Sequence, residues 1–227
     1  MNYTQTNGGQ NFLAIVAVDD NTHLIVHPNT GVSDIPVYLA KAGDVYQYMS
    51  GSSDLTGTYI ETDKSQSACG RFAVFSGSSV IGISCFDSQD PLYQQLYPTA
   101  SWGKKYGVVP FKDRRYILRI LAQEDNTIVN INGSAITLNK GRFYESGNLS
   151  QSVFVSADKL ISEALYSLTQ SCSSISGGRA IGDPEMVLLN PIEFNIKTIT
   201  VFSSTLQNIL ERYINVLMLS SKTSSFK

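Results

Sequence analysis

"ILAQEDNTIVNING", Ile120 to Gly133, ends one apolar run, bunches polar residues from Glu124 to Thr127, and then resumes with strict alternation. Much earlier, "IVAVDDNTHLIV", Ile15 to Val26, follows the same plan. Alternation of period two sends successive side chains to opposite faces, so Val129 and Ile131 point one way and Ile128 and Asn130 the other. Asn132-Gly133 separates this run from "SAITL" and is a hairpin signal, because a type I′ turn needs positive φ at both central residues. Between the strands, the acid and Asn side chains bond their own following backbone and tolerate left-handed φ, while the Thr hydroxyl closes the turn.

The motif is the first of several that recur in the same order. "KAGDVYQY" (Lys41 to Tyr48) is answered by "NKGRFYES" (Asn139 to Ser146), and "DLTGTYIETDK" (Asp54 to Lys64) by "NLSQSVFVSADK" (Asn148 to Lys159). "QDPLYQQLYP" (Gln89 to Pro98) matches "GDPEMVLLNP" (Gly182 to Pro191), with Asp-Pro and the later Pro at the same spacing. "RRYILRIL" (Arg114 to Leu121) is echoed by "ERYINVLML" (Glu211 to Leu219). Ordered matches at a spacing of about one hundred residues mark an internal duplication, with the start of a third unit at the C-terminal end. "SVFVSA" and "NIKTITVF" alternate and are read as strands; Asp90-Pro91 and Asp183-Pro184 are read as N-cap and first residue of short helical turns. The predicted fold is all-β: two tandem β-sandwich-like repeats with a few short helical turns. The first repeat spans residues 1–110 and the second 111–227, including a C-terminal strand that begins a third unit or completes the second.

Composition bounds the function. Over 227 residues, 42% are hydrophobic and only 16% charged, with twelve Tyr, a globular balance that suits a β-rich extracellular surface. The net charge of −2 and the absence of a basic stripe argue against nucleic acid. The densest basic cluster, Lys104, Lys105, Lys112, Arg114 and Arg115, reads as solvated edge residues. No apolar run reaches the roughly 20 residues a membrane span needs. "MNYTQTNGGQN" lacks the charged and apolar regions of a signal peptide. Cys69, Cys85 and Cys172 show no zinc spacing; Cys69 and Cys85 flank two β-like runs and are one possible bridge. Asn2, Asn132 and Asn148 begin glycosylation triplets, compatible with secretion.

Catalytic signatures are missing. GxSxG, P-loop, GxGxxG and HExxH do not occur, and any Ser-His-acid set would have to draw on His23 and His27. The acids of the repeated motif are followed by Asn-Thr rather than by the Asp-Thr/Ser-Gly of an aspartic protease. A glycosidase would need two carboxylates about 5–10 Å apart in one cleft. Asp19, Asp20, Glu124 and Asp125 are weak calcium candidates, since hard cations gather clustered oxygens; turn chemistry accounts for the same residues without a metal, and no cofactor is expected. Trp102, Lys104, Lys105 and Tyr106 form a candidate ligand-contact patch, because an aromatic surface beside basic residues suits protein or carbohydrate. For Trp102 a core plug at a strand start is preferred.

At "LYQQLYPTASWGKKYGVVPFKDR", Leu92 to Arg114, the chain resembles the IgGFc-binding protein N-terminal domain family, whose members carry a Leu-Tyr-x-Gln-Leu, Pro, Ser-Trp-Gly-Lys series followed by an apolar strand. Ala122 to Thr127 and Gly182 to Glu193 match two further family stretches, and "RYINVLML" resembles a family strand. Family members often have a paired cysteine after the "AVFSG" stretch; here "AVFSGSSVIGISC" keeps only Cys85. The resemblance implies a non-catalytic binding or adhesion module, extracellular or at the cell surface, usually part of a larger multidomain polypeptide. Its partners would be extracellular proteins or glycans. Despite the family's name, Fc is expected not to bind. A calcium-dependent lectin-like module is the alternative.

Overall fold

The computed structural model describes residues 1–3, 9–66, 70–86, 88–177, 182–194, 196, 198–204, 211–218, 221 and 223. Cys69 and the bridge considered for it lie outside the described residues.

The chain is all-β, as its periodicity predicts. In the first half, β1 (Asn11–Ala17), β4 (Val45–Met49), β6 (Phe72–Ile81) and β7 (Asp90–Gln95) form an antiparallel sheet in the order β4-β1-β6-β7. β2 (Thr22–His27), β3 (Ile35–Leu39) and β5 (Tyr59–Thr62) form a second, in the order β3-β2-β5. Leu13, Ile15 and Ala17 of β1 pack against Leu24 and Val26 of β2 and Val37 and Leu39 of β3, so the two sheets close on a shared core. Each of these strands buries alternate residues, which is what a sandwich layer requires.

The second half repeats the plan. β9 (Tyr116–Ala122), β10 (Thr127–Ile131), β11 (Ser134–Leu138), β12 (Phe143–Glu145), β13 (Val153–Ser167) and β14 (Glu185–Leu188) follow in order. β9 pairs with β12 and β13, as β1 pairs with β4 and β6. β10 pairs with β11 and β13, as β2 pairs with β3 and β5. β13 pairs with β14, as β6 pairs with β7. The registers agree as well: Ile15 faces Tyr46 and Val74, and the corresponding Ile120 faces Tyr144 and Glu163. The one departure is that β13 runs unbroken where the first half uses β5 and then β6. A register shift between Ser156 and Ile161 lets this single strand serve both layers.

Some expectations need correction. β8 (Gly103–Val108) joins the second half's sheet, on the edge of β13. The two Asp-Pro pairs do not start helical turns: Asp90 and Pro91 open β7, and Asp183 and Pro184 lead into β14. Proline is tolerated at the start of a strand, and here tertiary pairing overrides its capping preference. The helical turns lie elsewhere, at Thr99–Ser101, Gln170–Ser173 and Ile192–Phe194. Asn2 is fully buried, so as folded it is no glycan acceptor, whereas Asn132 and Asn148 are accessible. The segments read as strands after residue 194 have no ladder among their described residues. A strand needs a neighbour's edge as well as the right side chains.

The halves meet through a third core. Every residue of β9 is buried, because one face looks into its own sandwich and the other onto the first half. Ile117 and Leu121 of that second face join Tyr166, Met186 and Leu188 against Ile81, Ile83 and Leu92. Arg119 sits among them, 4% exposed. Its guanidinium reaches Asp54 at 2.7 Å and Glu145 at 2.6 Å, donates to the Asn2 carbonyl and the Thr56 hydroxyl, and lies over the rings of Tyr3 and Phe143. A disulfide between Cys85 and Cys172 ties the halves covalently.

Two outcomes test this joint. Arg119→Met is expected to lower the unfolding free energy in urea by about 3–5 kcal/mol, since it strands buried partners. A loss below about 1 kcal/mol would make the ion pairs incidental. The double variant Cys85→Ser, Cys172→Ser should lose roughly 2–5 kcal/mol while keeping its far-ultraviolet circular dichroism.

Candidate functional site

The repeated acid turns are built alike. Asn21 and Asn126 adopt φ of 55° and 53°, and the Thr22 and Thr127 hydroxyls each donate at 2.7 Å to the carbonyls of Asp19 and Glu124. Asp20 accepts the Ala42 amide at 2.9 Å, and Asp125 accepts the Lys140 amide at 3.0 Å, so each turn pins the loop that leads to the fourth strand of its half. Asp19 is gripped through two oxygens by the Arg71 guanidinium and also accepts the Arg71 amide; these bonds hold its carboxyl at about 2. The Ala42 amide, with Lys41, likewise keeps the Asp20 carboxyl low. The carboxylates of Asp19, Asp20 and Asp125 are therefore engaged by the protein itself. Among the described residues no group of three or more His, Cys, Asp or Glu is gathered to hold a metal ion.

The patch around Trp102 is split by the structure. Lys104 and Lys105 are exposed, and Lys104 donates to the Asp158 carbonyl at 2.6 Å. Trp102 is half-buried against the core between the halves, with its indole N–H toward the Tyr97 carbonyl. Tyr106 is 1% exposed: its hydroxyl donates to the Ile161 carbonyl and accepts the Gly103 amide. Strand alternation turns it inward with Val108, so it belongs to the core rather than to a contact surface. Beside Trp102 lies an open recess of about 300 Å³, lined by Tyr97, Ala100, Ser101, Asn190, Pro191 and Phe194. His23 stacks on Tyr38, while His27 stacks on Tyr59 between Asp34 and Glu61.

A different surface emerges from the ladders. On the outer face of sheet β4-β1-β6-β7, register places Phe12 between Met49 and Gly77, Val16 between Val45 and Ala73, and Gly77 beside Tyr93. The rings of Phe75 and Tyr93 stack at 5.2 Å, and Phe12 meets Tyr93 at 5.7 Å. Val45 is 59% exposed, Met49 47% and Tyr93 60%. Stacked aromatics and a Met on one sheet face, bordered by Gln47 and Gln95, make an apolar face with a polar rim. The sequence carries the signal: "NFLAIVA" is apolar at both sets of alternate positions, so β1 has an apolar face beyond the one its own core uses.

One ionisable group lies apart from all of these. Glu163 is fully buried, and neither carboxyl oxygen has a hydrogen-bond partner. It stands in the register position that Val74 fills in the first half. Burial pushes its carboxyl well above the ordinary carboxylate range, because desolvation inside the sandwich favours the neutral form.

Compared with known proteins, the chain matches the model of a family described as IgGFc binding protein over residues 1–227. No curated protein and no solved structure matches. The family is one of non-enzymatic binding domains.

Glu163 makes a pH test. The folded chain keeps a proton that the unfolded chain releases above the ordinary carboxylate range, so this residue lowers stability as pH rises toward neutrality. Glu163→Gln should raise the urea midpoint at neutral pH and leave it nearly unchanged at acid pH, below that range. An equal effect at both pH values would show that titration is not the cause.

Proposed function

We propose that the chain, which belongs to the IgGFc-binding protein family, is a non-catalytic binding module of the extracellular or cell-surface space. The observation that carries the reading is the exposed aromatic face on β4-β1-β6-β7, with Tyr93 stacked on Phe75 at one edge and Met49 and Val45 exposed at the other. Large, rigid side chains of this kind supply binding energy by losing contact with water at little conformational cost. The Cys85–Cys172 bridge supports an oxidising compartment. No helix among the described residues is long and apolar enough to cross a membrane. We read the chain as one part of a larger polypeptide that meets protein partners through this face.

The calcium-dependent lectin reading rests on Asp19, Asp20, Glu124 and Asp125, and the protein bonds to Asp19, Asp20 and Asp125 favour the turn reading instead. The recess beside Trp102 is shallow and open, which suits a minor contact better than a sugar-binding cleft.

The test immobilises the chain and its Tyr93→Glu variant. Each is probed with Fc fragment, with soluble chain, and with a glycan array in calcium and in chelator. We expect protein retention that the variant loses, without a change in its melting temperature. Glycan retention that requires calcium and disappears in Asp20→Asn would overturn the reading in favour of a lectin.

A further inference from the structure

We infer that the chain joins head to tail with a second copy of itself, the segment around Ile199 of one copy adding a strand to β5 of the next. The inference rests on reading the aromatic face as a binding surface and names its partner.

The argument begins inside the molecule. The second half has two surfaces that the first half covers. β8 pairs along β13, with Lys105 opposite Ser156, Tyr106 opposite Val155 and Val108 opposite Val153. The outer face of β9, β13 and β14 is buried under Ile81, Ile83, Leu92 and Trp102. Among the described residues of the first half, no strand pairs with the free edge of β5 and no apolar core covers the outer face of β1, β6 and β7. β5 is the edge of its sheet, and its register on β2 puts Ile60 where Val155 lies on β10. The matching outer face is that of Phe12, Phe75 and Tyr93, on which Tyr93 is exposed and the two Phe are half-buried. The second half touches this region at Gly57 and Tyr59, through Gly141 and Lys140. Gly57 lies beyond Thr58, the position that corresponds to the last pair of the β8 ladder.

The complementary piece stands at the other end of the chain. β8 follows Pro98 and the helical turn Thr99–Ser101; residues 196–204 follow Pro191 and the helical turn Ile192–Phe194. Counted from those prolines, Ile199 and Val201 take the places of Tyr106 and Val108, the two inward residues of β8. Both are exposed, as is Phe202 at 93%. Their region forms no ladder among its described residues. An alternating apolar segment without an edge, and an apolar face with an open edge, are the two sides of the interface already made between the halves. Strand addition supplies main-chain hydrogen bonds, and the covered face supplies apolar burial. Because donor and acceptor are different surfaces, the contact is heterologous, and each added copy presents a fresh donor or acceptor, building a row or a ring beyond the dimer.

Sedimentation velocity on the full chain over a concentration series tests this. The average mass should rise past the dimer with concentration. Ile199→Pro removes the donor and Tyr93→Glu with Met49→Glu the acceptor; each alone should sediment as monomer with an unchanged urea midpoint. Mixed in equal amounts, the two should form dimers and stop there, because one intact donor meets one intact acceptor. A wild-type chain that stays monomeric, variants that associate like wild type, or a mixture that stays monomeric would each overturn the inference. If the wild-type chain is monomeric yet retains Fc through Tyr93, the binding role stands and the self-assembly fails. If it retains no protein at all, both fail.

Discussion

A charged side chain placed between two apolar sheets must be matched on the spot, and Arg119 is matched from both halves of the chain at once. Asp54, Thr56 and the Asn2 carbonyl come from the first half, Glu145 from the strand beside it, and the rings of Tyr3 and Phe143 cover its faces. Such a cluster gains little over a purely apolar contact, because desolvation offsets most of the Coulomb attraction. What it does is admit one arrangement. Sliding one half over the other by a single residue would part the guanidinium from Asp54, Thr56 and the Asn2 carbonyl and leave it short of partners among hydrocarbon. The apolar residues around it, from Ile117 to Leu188, supply the adhesion and would tolerate many registers.

With the halves fixed, the same design has different consequences in each. A sheet whose outer face is apolar is stable when that face is covered, and in the second half it is. The first half bears an equivalent face that nothing in the described residues covers, and there Tyr93, Met49 and Val45 stay exposed. The contrast between the two faces therefore follows from where each half sits in the chain. Glu163 shows the converse: where the first half places Val74, the second buries a carboxyl without a partner, a local cost the rest of the sandwich has to carry.

Much of this could be read from the residues because short-range rules govern it. The acid-Asp-Asn-Thr turns, the Asn132-Gly133 hairpin and the alternation of β10 are all properties of a few neighbouring positions, and each appears where the pattern puts it. Tyr106 was misplaced because its Lys neighbours suggested a surface, whereas only the partner strand decides which alternate set faces inward. The Cys85–Cys172 bridge joins loops distant in sequence, so no spacing rule could select it. Arg119 is one charge within the apolar run of β9, and its meaning depends on Asp54 and Asn2 arriving from elsewhere. The aromatic face was visible only as an excess of apolar residues on β1, and its exposure required knowing that the sheet ends at β4 and β7.

The Cys85–Cys172 bridge also decides how the chain would respond to being pulled. Load applied at the two ends passes through β1 to β6, crosses the sulfur link, and continues beyond residue 172, leaving β7 to β13 out of the tensioned path. The 87-residue separation between the two cysteines corresponds to roughly 300 Å of extended chain that stays folded away until the bond is reduced. The protein thus holds a length reserve whose release is governed by thiol chemistry instead of by force.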